Sequence, residues 1–175
     1  MPASPLLNVA KGSIVLLAAA QASGNLMFST FITPRLLDAP TDVMLKQWRN
    51  TFESGMRVFR PIFISTSLGF MGLAYALNGR MRSRMLVASG LLSIAVIPYT
   101  YIFMMPTNRE LLAIAAQRLD EQGIQKAQEK DNQADYVSAL EDRARRLVDD
   151  WGVLNLGRAA LGMASAALGM AAILI

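Results

Sequence analysis

The sequence predicts an all-α protein, a four-helix transmembrane bundle with amphipathic interfacial helices in loops one and three. Three observations carry this. Four stretches hold no charged residue: Gly12–Pro34, Pro61–Gly79, Met85–Asn108 and Ala159–Ile175. They are rich in Ala, Leu, Met and Gly and do not alternate, so they do not read as strands, and an open sheet could not satisfy its backbone in lipid. Roughly 20 apolar residues cross the hydrocarbon core as a helix. A soluble protein with buried helices is the weaker reading, because such helices rarely lose charge on every face at once. With 175 residues the chain has room for one domain, 1–175, and shows no internal repeat.

Span one covers about residues 13–33, and Pro34 punctuates its end. Ala20-Gln21-Ala22 resembles a signal-peptide cleavage site, but the apolar run continues through Phe28 to Ile32, which favours a span. Loop one holds a helix from Thr41, opened by Pro40, with Met44, Leu45, Trp48, Phe52, Met56 and Phe59 at helical spacing. It reads as an interfacial helix with Trp48 at headgroup level, running toward span two at 61–79. Span three covers about 85–105. Pro98 is expected to kink it and Pro106 to mark its end. The polar segment that follows is expected to be loose around Gln122–Asp135. A stripe of Val137, Leu140, Ala144, Leu147 and Val148 then leads directly into span four, 153–175. There Arg158 snorkels toward the interface. Ala160, Gly162, Ala164, Ser165, Ala166 and Gly169 allow close backbone approach, within one chain or between copies in a homo-oligomer.

The charge pattern orients the chain. Four spans put both termini on the side of the second loop, where Lys11, Arg80, Arg82 and Arg84 stand without an acid. The other side takes the remaining 13 basic and all 13 acidic residues. The short Arg80–Arg84 loop fits the positive-inside rule and places the termini in the cytosol. The excess of +4 reads as topology and lipid contact rather than nucleic-acid binding. The chain contains no Cys and no His, which excludes thiol redox chemistry, histidine metal sites and histidine general-base catalysis. Every Asp and Glu lies in loops one and three, so a carboxylate metal cluster within the membrane is not expected.

Polar groups inside the spans are the candidates for function. Gln21 and Asn25 share a face of span one. Asn108 and Arg109 close span three. Trp151, Asn155 and Arg158 recur at i, i+4 and i+7 on one face at the head of span four. The topology brings these ends to the same side, where they could line one pocket. Tyr99 and Tyr101, beside Pro98, are candidates for a cavity wall. Each has a plainer explanation: Arg109 as an interface anchor, Trp48 and Trp151 as belt aromatics, the amides as interhelical hydrogen bonds and the tyrosines as packing. A set of cations, amides and aromatics suits an anionic or enolisable aromatic ligand, because Arg and Asn stabilise oxyanion charge where water is excluded.

Several motifs together carry a resemblance. Phe31-Ile32-Thr33-Pro34-Arg35 follows span one, Met105-Pro106-Thr107-Asn108-Arg109-Glu110-Leu111 follows span three, and Trp151-Gly152-Val153-Leu154-Asn155-Leu156-Gly157-Arg158 heads span four. With four spans and this loop pattern, the chain resembles the anthrone oxygenase-like family. Some relatives carry His where this chain has Asn155, which puts a base role there in doubt. The resemblance implies an oxygenase without metal or flavin that uses O2 as co-substrate to oxidise an anthrone, a small aromatic polyketide, to a quinone. It assigns oxyanion stabilisation to Arg158 and Arg109 and orientation of substrate oxygens to Asn108 and Asn155. Trp151 becomes an aromatic wall, with Asn25, Gln21, Tyr99 and Trp48 as further binding candidates. A non-catalytic membrane scaffold for a biosynthetic pathway is the competing reading, and a small carrier or channel is a third.

Overall fold

The computed structural model describes residues 5–77, 79–119 and 133–175. Among the described residues every element is helical. Helix α1 (Pro5–Met27) passes through a π-helical turn, π1 (Phe28–Ile32), into α2 (Thr33–Leu37). Helix α3 covers Thr41–Ala76. Helix α4 (Arg80–Tyr99) passes through a second π-helical turn, π2 (Thr100–Met104), into α5 (Met105–Leu119), and α6 covers Gln133–Leu174. The chain thus makes four long rods, each long and apolar enough to cross a membrane. Of the polar centre of loop three expected to be loose, Gln122–Asp135, residues 122–132 lie outside the described residues, and Gln133–Asp135 instead open α6.

Two prolines expected to end spans do not end the helical rods. Pro34 and Pro106 sit inside continuous rods, each two residues beyond the last residue of a π-turn. A proline ring clashes with the carbonyl four residues back and brings no N–H. In π1 the Thr33 backbone N–H bonds the carbonyl of Phe28, five residues back, and the Thr33 hydroxyl donates to the same carbonyl at 2.8 Å. In π2 the Met105 N–H bonds the Thr100 carbonyl in the same way. The widened turn makes room for the ring, so the rod bulges instead of breaking. Pro61, expected at the start of span two, also lies within α3, which begins as expected after Pro40.

The connection between α3 and α4 is shorter than the expected loop. Arg80, Arg82 and Arg84 all lie on α4, and the turn is made at Gly79, whose φ of +118° suits a residue without a Cβ.

The amphipathic segments of loops one and three stand up as continuations of the spans. They pack their apolar stripes against each other. Trp48, expected at headgroup level, is instead fully buried with Met44, Leu45, Leu111, Val148 and Trp151. Its ring stacks on Phe52 at 5.4 Å and meets Trp151 edge-on at 6.3 Å. Arg118 pairs with Asp42 at 3.0 Å and Glu141 at 2.6 Å. Arg145 donates to the carbonyls of Leu37 (2.7 Å) and Ala39 (3.1 Å), which pins the turn between α2 and α3 onto α6. A second core, with Val15, Phe70, Leu73, Leu86 and Ala172, closes the opposite end. Gly162, Ser165 and Gly169 of span four are buried within the chain, while Ala160 and Ala164 are exposed. A Cβ at Gly162 would lie 3.0 Å from that of Ala22, and the Ser165 hydroxyl donates to the Ser89 carbonyl at 2.8 Å.

Candidate functional site

Helices α3, α4, α5 and α6 and both π-turns line an aromatic-walled cavity. Phe28, Phe59, Phe63, Met104 and Trp151 supply much of the wall, with Asn108 and Arg158 among the polar members. The free volume is about 50 Å³, several times the ~10–15 Å³ that one buried water needs. The cavity is partly open, and its rim includes Met56, Arg60 and Tyr101, all exposed. Both π-turns contribute wall residues: Phe28 from π1, and Thr100, Tyr101 and Met104 from π2.

The polar groups of the wall are under-used. Asn108 is 1% exposed, and neither carboxamide atom has a hydrogen-bond partner. Arg158 donates from Nη1 to Asn155 Oδ1 at 3.1 Å, and Asn155 donates from Nδ2 to the Trp151 carbonyl at 2.8 Å. The guanidinium lies 5.5 Å from the centre of the Phe63 ring, a cation–π contact, and its Nε is buried without a partner. A buried polar group left unpaired costs about 1–3 kcal/mol. Two such residues on one wall give that wall unspent capacity to hold oxygen atoms.

The sequence-based candidates divide around this cavity. Arg158, Asn108 and Trp151 line it. Asn155 stands behind Arg158 and orients it. Trp48 lies behind the wall, stacked on the lining residue Phe52, with its indole Nε1 unpartnered. Gln21 and Asn25 do not line it. The Gln21 carboxamide straddles the Ser93 hydroxyl, both polar atoms 3.2 Å away, and ties α1 to α4. Asn25 donates to the Gln21 carbonyl at 2.7 Å, leaving its Oδ1 buried and unpartnered. Tyr99 donates to the Leu154 carbonyl at 3.1 Å and packs over Gly157 rather than facing the cavity. Arg109 is exposed. It is the neighbour of Asn108, and one helical step of about 100° turns it away from the wall. Sequence reasoning missed Arg60, Thr51, Thr100 and Phe63. The helical recurrence of Phe52, Met56, Phe59 and Phe63 was a usable signal, but it reads equally well as a lipid-facing stripe.

The family model of anthrone oxygenase matches residues 48–168, more than half of the chain. This chain belongs to the anthrone oxygenase family. The matched region contains the cavity wall except Phe28. An anthrone oxygenase of Claviceps purpurea (strain 20.1) is 32% identical over 168 residues, 91% of this chain and 87% of the relative. The anthrone oxygenase encC of Aspergillus fumigatus is 31% identical, over 75% of this chain and 70% of its own. The monooxygenase hypC of Dothistroma septosporum is 28% identical, over 85% and 74%. No solved structure matches. Among the described residues no group of three or more His, Cys, Asp or Glu could hold a metal ion.

Proposed function

We propose that this anthrone oxygenase family member oxidises an anthrone-type polyketide aromatic with O2, without a metal or organic cofactor, in a membrane whose cytosolic side carries both termini. The observation that carries the reading is Asn108. It is a fully buried carboxamide with no partner, in an aromatic wall it shares with the half-satisfied Arg158. A flat ring system suits Phe59, Phe63 and Trp151, and the ligand's oxygens suit the orphaned donors.

The chemistry asks little of a base. Anthrones lose a proton from the carbon opposite the carbonyl, and the resulting enolate is electron-rich enough to react with O2. The enolate gives one electron to O2, and the radical and superoxide combine as a peroxide anion, which takes up a proton to become the hydroperoxide. Loss of water leaves a carbonyl at that carbon. One oxygen atom ends in the quinone and the other in water. None of the described wall residues is a carboxylate. The role assigned to the protein is to favour the enolate with Arg158 and Asn108 and to exclude bulk water.

The test is to supply a dihydroxyanthrone and O2 to the full-length protein in detergent. Quinone absorbance and oxygen uptake would be followed for wild type and Arg158→Ala. Removing one oxyanion donor costs about 10²–10³ in kcat. Wild-type turnover with one O2 consumed per quinone, lowered by that factor in the variant, supports the reading. Equal rates in both, or no conversion by the wild type, refute it.

A further inference from the structure

We propose that Arg60 and Tyr101 form an anion clamp at the mouth of the cavity, selecting aromatic ligands that carry a carboxylate on the ring nearest the opening. The inference rests on the oxygenase reading and names the substrate class for it. Arg60 lies on α3 and Tyr101 on π2, both exposed on the rim. The guanidinium donates from Nη2 to the Tyr101 hydroxyl at 3.2 Å. Tyr101 accepts in that bond, so its own proton remains free to donate, and most of the Arg60 N–H groups remain free as well.

The acid best placed to quench this cation is held elsewhere. Glu53, two turns back on α3, is held by Arg49 at 3.0 Å and Arg57 at 3.9 Å. Among the described residues no carboxylate comes within ion-pairing distance of Arg60. Arg158 and Asn108, deeper in the wall, suffice for the oxygens of the reacting ring, which leaves the outer cation without a task there. A planar guanidinium beside a phenol hydroxyl matches the two oxygens of a carboxylate. A lipid phosphate is the other anion within reach of an exposed arginine at this level.

The experiment compares an anthraquinone carboxylate with the analogue bearing a methyl at the same carbon. Binding is read by quenching of tryptophan fluorescence in the full-length protein, held in nanodiscs of zwitterionic lipid. Quinones are end products, so turnover does not enter. The wild type is expected to bind the carboxylate about 5–10-fold tighter than the methyl compound. Arg60→Ala should bring the two within about twofold, and Arg60→Lys should keep part of the preference. No preference in the wild type, the same preference in Arg60→Ala, or no binding of either compound overturns the clamp. If Arg60 serves lipid instead, the wild type shows no preference, and moving the protein from zwitterionic to phosphatidylglycerol nanodiscs raises the melting temperature of the wild type but not of Arg60→Ala. Oxidation of the methyl anthrone by the wild type reports on the oxygenase reading separately.

Discussion

Replacing Asn108 with Leu should stabilise the empty protein and abolish its oxygenase activity. Asn108 is 1% exposed with both carboxamide atoms unpartnered, so the free protein carries the desolvation cost of a donor and an acceptor together. Leaving a buried polar group unpaired costs about 1–3 kcal/mol, and an apolar replacement removes that cost. The cavity beside it can take the larger leucine branch, so overpacking is small. A gain of about 1–3 kcal/mol corresponds to roughly 2–10 °C in melting temperature for a chain of this size. The assay is thermal unfolding in detergent without ligand, alongside quinone formation from an anthrone. A melting temperature at or below wild type would show that Asn108 is already satisfied in the free protein. Turnover near wild type would remove it from the site. Asn108→Ala separates the two effects, since it loses the polar atoms but adds no packing and should gain less stability for the same loss of activity.

Gly157→Ala places a methyl onto the Tyr99 hydroxyl and ring. It should destabilise by about 1–3 kcal/mol through overpacking, and pairing it with Tyr99→Ala should recover much of that loss in a double-mutant cycle on melting temperature. Asn155→Leu removes the carboxamide that accepts from Arg158. It should lower kcat about tenfold, less than Arg158→Ala, because it acts by freeing the guanidinium to rotate; a loss equal to that of Arg158→Ala would give Asn155 a direct role. Arg145→Ala releases the carbonyls of Leu37 and Ala39 and should expose the turn between α2 and α3 to limited proteolysis while anthrone turnover persists.

The four rods were legible because loss of charge over a whole helical surface has few causes other than lipid. The face carrying Trp151, Asn155 and Arg158 was legible because it lies within one helix, where spacing fixes direction. What the sequence concealed depends on neighbours. The stripe of Met44, Leu45 and Trp48 is amphipathic whether it meets lipid or other helices, and only the facing stripes of α5 and α6 decide. Prolines at 34 and 106 read as stops because the rule assumes an α-turn, and a π-turn suspends it. Arg109 outranks its neighbour as a candidate on charge, yet the rotation of the helix gives the wall to Asn108. Arg60 could not be found from spacing, since its partner Tyr101 lies 41 residues away.

The two π-turns also set a phase. A π-turn takes up about one residue more per revolution than an α-turn, so everything after it is shifted in angle relative to the rod before it. Without π2, a helix continuing from α4 would present Thr107 at the position that Asn108 holds, and Asn108 would face away by about 100°. Deleting one residue from Thr100–Met104 should therefore turn π2 into an α-turn and keep Asn108 in place, whereas straightening π2 at constant length would exchange the side chain offered to the ligand. In this fold a single-codon deletion within a widened turn keeps the site in register, so a relative that lacks the turn is matched to the right residues only across a one-residue gap there.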